Sequence, residues 1–311
     1  MNLFWDKFIN FFSAPPKLLS GFSISSNYIY GVRLSAKEKS TVDSYVCDIP
    51  DGVVQPSFIE KNIIKPDVLK GEFSKAARNM RLNNKDIALI FPELSQKTFT
   101  FSFDSLPSAL REREQIIRFR IKKRMPFLPE DSRISYDLFP KGSGLRALVI
   151  LTRTNIIKEY EEFFLQFGFN VRKAVPPSVG LINLLDIGSE KNGLLLNIEK
   201  ESFSLSLYKD AEFILYRQKR FDFKTGGTGT IQDKMGDVFD EVEKTLNFTA
   251  EGLDRREMKF WIRSGIEGYD SFIEKAEKEC ECSFHKIGSN LDVNLNPEEK
   301  DRLSPVLGVL L

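Results

Sequence analysis

The sequence predicts an α/β protein of two lobes, with a smaller α+β subdomain inserted into the first lobe. Its 311 residues reach the length at which one hydrophobic core stops growing and a chain divides. Short buried strands alternate with amphipathic helices, which is typical of layered α/β architecture. The pattern of strands that opens at Gly21 begins again near Leu194. The second half of the chain therefore repeats the opening of the first.

The composition is that of an ordinary globular protein of the cytoplasm. There are 45 Lys and Arg against 44 Asp and Glu, so no global field steers the molecule toward nucleic acid, and any basic function is local. Cys47, Cys280 and Cys282 are too few for a disulfide framework in a chain of this length, and no secretory signal is expected. No apolar run approaches the roughly 20 residues of a spanning helix, so we expect a protein that does not itself cross a membrane.

Residues 1–17 are predicted to form a separate amphipathic segment. Leu3, Phe4, Phe8, Phe11 and Phe12 share one side of a helix that the two prolines at 15 and 16 would end. Two interpretations stay open: the helix docks on its own domain, or it is an interfacial membrane anchor bordered by aromatic and basic side chains.

The first lobe is predicted over residues 18–187. A polar turn and a second connection separate three strands of a meander, and a helix that starts at Pro66 leads into a buried strand. Ser178 is predicted to cap the short helix that follows Pro177. The predicted strands are 21–24, 28–34, 41–49, 87–91, 145–151 and 171–175, and a further helix begins at Thr154.

The inserted subdomain is predicted over about 93–141, with strands at 98–103 and 134–139 around a helix at about 107–125. Pro126 ends that helix because it disfavours helical geometry at the preceding residue. Leu110, Ile117, Ile121 and Met125 recur at helical spacing, so this stripe is predicted to face the core.

The second lobe is predicted over residues 188–311. Strands at 194–198, 203–208 and 212–223 repeat the meander, and a loop with Gly226 and Gly227 leads into a long acidic helix. A strand at 260–262, a helix at 271–280 and a strand at 284–287 follow, and an apolar helix from Ser304 is expected to complete the lobe.

No catalytic or metal site is predicted. His285 is the only histidine, and no nucleophile motif converges on it. Cys280, Cys282 and His285 lack the second pair of ligands that structural zinc needs, so ordinary packing is favoured. The loop of Gly226 and Gly227 is a weak phosphate-binding signal without a Walker lysine, and a flexible turn into a helix is the favoured interpretation.

The segment 111–124 is the most informative surface, with seven cations, two acids and the apolar Ile116 and Phe119 outside the buried stripe. One interpretation is a solvated helix face that packs these two residues on its own subdomain. The other is a docking face for an acidic and apolar peptide or for an anionic membrane. Nucleic acid ranks third because no recognised binding module is present.

Several segments together resemble the PilM family, actin-like cytoplasmic proteins of type IV pilus assembly that are related to the cytoplasmic domains of type II secretion L proteins. The likeness covers nearly the whole chain, and each motif is moderately specific. The segments that carry it include Gly21-Phe-Ser-Ile-Ser-Ser-Asn27, Leu195-Leu-Asn-Ile-Glu199, Ala174-Val-Pro-Pro-Ser-Val-Gly-Leu-Ile-Asn-Leu-Leu185 and the helix ending in Met125-Pro-Phe127.

The resemblance implies an actin-like ATPase fold and a scaffold at the inner face of the inner membrane, peripheral to the bilayer. It implies as partner a PilN-like bitopic membrane protein, whose short cytoplasmic tail binds a groove between the inserted subdomain and the first lobe. An assembly motor ATPase is implied as a further partner. On this sequence that surface is placed on Ile116, Arg118, Phe119 and Arg120.

Three turns bind the nucleotide in the actin-like family, and in this sequence all three have lost part of their motif. These turns are called the three corners. Ser23 stands where the family has the Asp that helps hold magnesium, and Ser25 replaces a glycine. Asn197 stands for the second acid, and Glu199 stands for a glycine that approaches the phosphates, where its charge is expected to repel an anion. In the third corner Arg263-Ser-Gly265 replaces a glycine pair near the adenosine.

This erosion predicts a pseudo-ATPase without a resident cofactor, in which Gly226 and Gly227 leave room for weak Mg·ATP binding. The alternative is a divergent ATPase or small-molecule kinase on the same fold. A third interpretation is a peripheral membrane protein held by residues 1–12 without a protein partner.

Overall fold

The computed structural model describes residues 18–35, 41–80, 85–185, 190–221, 231–249, 255–266, 269–280 and 282–311. The amphipathic segment predicted at 1–17 lies outside them. Among the helices described, none combines the length and the apolar character that crossing a membrane requires.

Strands and helices alternate along the chain much as the hydrophobic pattern predicts. The strands are β1 (Ser20–Ile24), β2 (Tyr28–Leu34), β3 (Thr41–Asp48), β4 (Asp86–Ile90), β5 (Gln96–Phe103), β6 (Ser132–Lys141), β7 (Gly144–Arg153), β8 (Asn170–Val175), β9 (Gly193–Ile198), β10 (Ser202–Lys209), β11 (Glu212–Arg220), β12 (Lys259–Ser264) and β13 (Phe284–Lys286). The helices are α1 (Pro66–Asn79), α2 (Leu110–Arg124), α3 (Thr154–Leu165), α4 (Pro177–Ile182), α5 (Ile231–Thr249), α6 (Asp270–Cys280) and α7 (Pro297–Leu310).

Two five-stranded sheets share one topology. The first has the order β3-β2-β1-β4-β8 and the second the order β11-β10-β9-β12-β13. In each sheet an antiparallel meander joins two parallel strands. The internal repeat predicted from the sequence is therefore a repeat of strand order.

Aromatic side chains fill the space between the first sheet and its helices. The ring of Phe73 on α1 meets those of Phe22 and Phe164 at 4.9 and 5.0 Å between centroids, both edge to face. Such pairs add to the stabilisation from burial alone. In the second lobe, apolar residues of α5 and α6 cover the sheet, among them Val238, Leu246 and Ala276.

The inserted subdomain is a three-stranded antiparallel sheet in the order β5-β7-β6. Ile117 and Ile121 of α2 are fully buried against one face of it. The predicted end of the inserted subdomain near residue 141 was wrong, because β7 is the central strand of the subdomain's sheet rather than a strand of the first lobe. Leu110 was also assigned wrongly: it is 53% exposed at the first residue of α2, where the helix has not yet reached the sheet.

The C-terminal helix begins earlier than predicted and packs elsewhere. Asn296 and Glu299 form a capping box that starts α7 at Pro297, and Pro305 lies inside the helix. Val306, Leu307 and Leu310 are buried against the sheet of the first lobe. The expectation that this helix completes the second lobe was therefore wrong, since it covers the first sheet and ties the end of the chain to it.

Candidate functional site

The turns that carry the eroded motifs meet between the two lobes. The Tyr28 hydroxyl, at the start of β2, donates to Oε2 of Glu199 after β9 at 2.9 Å. Nδ2 of Asn27 donates to the carbonyl oxygen of Gly265 after β12 at 3.4 Å. The structure thus brings the corners of the first and second sheets together, as the resemblance implies.

Arg263 is the centre of this junction. Its side chain is fully buried and forms an ion pair with Glu199. Its guanidinium also donates to Oδ1 of Asn197 and to the Tyr28 hydroxyl, both at 3.2 Å, and to the carbonyl oxygen of Arg302 on α7 at 3.1 Å. The cluster of Arg263, Glu199, Tyr28 and Asn197, named the cleft cluster below, therefore links both lobes and the C-terminal helix.

The ion pair changes the role expected for Glu199. Burial acts to lower the pKa of Arg263, but the Glu199 carboxylate overrides it and raises that pKa, so the guanidinium stays charged. Burial raises the pKa of the Tyr28 hydroxyl, which therefore remains a proton donor. The expectation that Glu199 offers a free negative charge to a phosphate was wrong, because Arg263 neutralises it.

The other predicted positions differ in what they contact. The Ser25 hydroxyl donates to Oδ1 of Asn27 at 2.9 Å and shapes the first turn. The Ser23 hydroxyl is buried and has no hydrogen-bond partner among the described residues. A Cβ added to Gly265 would lie 2.5 Å from Oε2 of Glu199. Gly226 and Gly227 lie outside the described residues.

The space left beside the cleft cluster is very small. A cavity of about 10 Å³ lies there, bordered by Ser25, Tyr28, Glu93, Glu199 and Glu201 among others. This is about the volume that one water needs, whereas small-molecule sites measure roughly 300–1,000 Å³. A cavity of this size does not accommodate a nucleotide.

Glu93 joins three parts of the fold at the far wall of that cavity. Its carboxylate accepts hydrogen bonds from Oγ of Ser178 at 2.7 Å, from Nε2 of Gln96 at 3.0 Å and from the Tyr216 hydroxyl. Burial raises the pKa of Glu93. Ser178 was predicted to cap α4, but Pro176 occupies the cap position and the serine binds Glu93 instead.

A larger groove lies between the loop before α1 and the outer side of α3. Its volume is about 460 Å³. Buried Ile63, Ile156 and Phe163 line it together with charged Lys61, Lys158, Glu159 and Glu162. Part of the lining is therefore apolar and part can form hydrogen bonds or ion pairs, as in ligand-binding pockets of this volume.

The loop that forms one wall of the groove is held firmly. The Glu159 carboxylate accepts the backbone N–H of Asn62 at 2.8 Å and that of Ile63 at 2.7 Å. Phe58, from the same loop, is buried in the core of the inserted subdomain. The groove is thus preformed, and the loop of its wall also reaches the core of the inserted subdomain through Phe58.

The four residues predicted on α2 differ in exposure. Ile116 is half-buried against the core of the subdomain, and Arg120 lies 5.4 Å from the centroid of the Phe103 ring. Phe119 is 57% exposed, with Nζ of Lys123 4.6 Å from its ring centroid. Arg118 is partly exposed beside them. The segment therefore combines both sequence interpretations, packing through Ile116 and exposure through Phe119.

His285 is exposed on β13, and Cys282 is half-buried against the core of the second lobe. Nothing is described of the Cys280 side chain. Within the described ranges, no group of three or more His, Cys, Asp or Glu side chains could hold a metal ion.

No protein-family model matches the sequence, and no curated protein matches it. The fold, in contrast, is similar to solved structures. A chain of the PilM–PilN type IV pilus biogenesis complex superposes with a TM-score of 0.76 at 13% identity, over 95% of this chain and 97% of that one. A Bacteroides thetaiotaomicron protein with an actin-like ATPase fold and unknown function gives 0.59 at 10% identity, over 94% and 95%. The chain has the actin-like ATPase fold.

A third solved structure, the ethanolamine utilization protein EutJ from Carboxydothermus hydrogenoformans, gives a TM-score of 0.53 at 9% identity over 95% of this chain and 90% of that one. These likenesses confirm the actin-like fold and, at the level of the fold, the resemblance to PilM. At such low identity the residues of the site must be judged from their own geometry.

Sequence reasoning missed the roles of Arg263 and Tyr28 in the actin-like cleft. It noted Arg263 as a departure from the family pattern without giving it a partner. A usable signal was present, because Arg263 directly follows Phe260, Trp261 and Ile262 in a buried strand. An arginine in such a place is almost never buried without a counter-ion.

Proposed function

We propose that this protein is a non-catalytic scaffold of a type IV pilus or type II secretion-like assembly platform. It binds the short cytoplasmic tail of a PilN-like inner-membrane protein and is held at the inner face of that membrane. One contrast carries the proposal: the cavity beside the cleft cluster measures about 10 Å³, whereas the groove beside α3 measures about 460 Å³. The similarity to a chain of the PilM–PilN complex supports the choice of partner.

The groove beside α3 is the proposed seat of the tail. It is preformed, and the partly exposed Pro66 in its lining can contact an apolar side chain of the tail. Lys61 and Lys158 can pair with acidic groups of the tail. The prediction that the tail contacts α2 through Phe119 and Arg120 is kept as a second location for the same experiment to test.

The first experiment is purification of the tagged protein from its native cells after gentle solubilisation. We expect recovery of a single-span membrane protein with a short cytoplasmic tail. Lys158→Trp places a bulky ring at the groove and should abolish recovery. Lys244→Trp is the matched control, since Lys244 is likewise an exposed helical lysine, on α5, and it should leave recovery unchanged.

The double variant Phe119→Ala with Arg120→Ala separates the two locations. Loss of the partner in this variant, with retention in Lys158→Trp, would move the tail from the groove to α2. Recovery of the protein alone from the soluble fraction would contradict the scaffold proposal and favour the enzyme alternative.

The non-catalytic part of the proposal has its own test, which is thermal unfolding with and without Mg·ATP. A ligand at a hundredfold excess over its Kd stabilises the folded state by about 2.7 kcal/mol. We expect no change in the unfolding temperature at millimolar Mg·ATP, because the cavity beside the cleft cluster is far smaller than a nucleotide needs. A clear, saturable increase would support a divergent ATPase or kinase instead.

A further inference from the structure

The second half of α2 and the first residues of the loop after it form a surface with a single sign of charge, which ends before Glu130. Between residues 116 and 129 there are five basic residues and no acidic one. Among the described residues, none of the five forms an ion pair with a carboxylate, although many other surface cations of the chain do. The five are Arg118, Arg120, Lys122, Lys123 and Arg124.

Two aromatic rings are exposed on the same segment. Phe127 is 92% exposed and Phe119 is 57% exposed. Met125 and Leu128, on either side of Phe127, both pack against the core of the inserted subdomain. Phe127 is therefore held outward by its neighbours rather than left out by a loose loop. The five cations with Phe119 and Phe127 are named the basic aromatic surface below.

Helix stability alone does not account for this surface. The negative end of the helix dipole favours Lys122, Lys123 and Arg124 in the last turn of α2. It gives no reason for Phe127, which lies beyond the helix and exposes an apolar ring to water. The combination needs a partner that attracts positive charge and accepts aromatic rings.

An anionic membrane surface meets both conditions better than an acidic peptide does. A peptide would require a groove, and neither the cleft cavity nor the groove beside α3 is lined by any residue of this surface. A ring that is 92% exposed protrudes from the fold, which suits entry into the interfacial region of a bilayer. Lipid phosphates attract basic side chains near the surface.

We propose that the basic aromatic surface binds the anionic headgroups of the inner leaflet directly. Arg118, Lys122, Lys123 and Arg124 lie at the phosphates, and Phe127 enters the headgroup region. This inference rests on the proposed location at the membrane, but the lipid contact is separate from the groove that takes the tail.

The test is co-sedimentation of the full chain with phosphatidylcholine vesicles that contain or lack one-third phosphatidylglycerol, without any tail. We expect binding to the anionic vesicles only, lost when salt rises from about 0.1 to about 1 M. The variant Lys122→Gln, Lys123→Gln, Arg124→Gln should bind about 100-fold more weakly, since each cation contributes about a fivefold factor. Phe127→Ser should weaken binding about tenfold.

The matched control removes three exposed lysines that have acidic partners: Lys70→Gln, Lys75→Gln and Lys244→Gln, from the pairs with Asp67, Glu72 and Asp240. It changes the net charge equally and should bind vesicles about as the parent does. Unchanged circular dichroism verifies that each variant is folded.

Three outcomes would overturn the inference. The first is no binding of the parent protein to anionic vesicles, and the second is an equal loss in the triple variant and the control. The third is a triple variant that still binds anionic vesicles but no longer recovers the membrane partner from native cells. The last outcome would assign the surface to an acidic peptide. Failure with vesicles while Lys158→Trp still abolishes recovery of the partner leaves the proposed scaffold function intact.

Discussion

Replacement of Arg263 by methionine tests whether the cleft cluster holds the lobes together. Methionine keeps much of the apolar stem but leaves the Glu199 carboxylate buried with no cation and the Arg302 carbonyl oxygen without its donor. Removal of one partner from a buried ion pair costs about 3–5 kcal/mol. We expect Arg263→Met to lower the free energy of unfolding by that amount, a large part of the stability of an ordinary domain.

The reciprocal variant, Glu199→Gln, leaves the Arg263 guanidinium buried with only neutral partners and should cost about as much. In the double variant neither charge is buried alone. Its loss of stability should therefore fall short of the sum of the single losses by about 2–3 kcal/mol, the upper range for residues in direct contact.

Urea unfolding followed by circular dichroism measures these differences, provided that the slope with urea is the same for all variants. Arg133→Met is the matched control, because Arg133 and Glu161 form a partly exposed pair at 3.2 Å. Such pairs contribute about 0–1 kcal/mol. A loss for Arg263→Met no larger than for the control, or strictly additive losses in the double variant, would refute the role given to the cluster.

Three further variants test other parts of the fold. Burial raises the pKa of Glu93, so its contribution to stability is fully present below its pKa in the unfolded chain and is lost as pH rises through its pKa in the folded protein. Glu93→Gln should therefore flatten the fall in stability as pH rises above the ordinary carboxyl pKa, and an unchanged pH profile in urea titrations would contradict this. Gly265→Ala should cost about 1–3 kcal/mol because its Cβ would press on the cleft cluster, whereas Gly236→Ala, at an open position of α5, should gain about 0.5–1 kcal/mol; equal effects would refute the close packing. Gly180→Ala should destabilise by at least about 2 kcal/mol because α4 and α7 touch backbone to backbone there, and Gly71→Ala, which meets nothing within 4 Å on α1, is its control in thermal unfolding.

Local patterns in the sequence were enough for most strands and helices. The bounds of β2 follow from the polar turn before it and the apolar residues within it, and α1 begins at Pro66 as predicted. The membership of β7 did not follow, because a buried apolar strand before a helix can pair with either sheet. Gly142 has a φ of 52° in the turn that folds β7 back on β6, and the non-local pairing of β7 with β5 places it at the centre of the subdomain's sheet.

The site was predictable in position but not in chemistry. The sequence located the corners at Ser23, Asn197, Glu199 and Gly265, and the structure brings the turns that carry them together. It could not show that Arg263 and Glu199 are partners, since 64 residues separate them and no local pattern records the contact. The groove beside α3 was also missed, because its walls come from segments about 90 residues apart in the chain.

The retained glycine of the third corner has a reason in this protein that does not involve a nucleotide. Arg263 or Glu199 alone would be an uncompensated buried charge, so each substitution is tolerable only with the other. Their pair occupies the space in front of Gly265, where a side chain would collide with the Glu199 carboxylate. The glycine is therefore required by the ion pair itself. The presence of Gly265 is therefore no argument for ATP binding. Where the cleft cluster takes the place of a nucleotide, the acidic and glycine residues of the other two turns are no longer needed and can be lost.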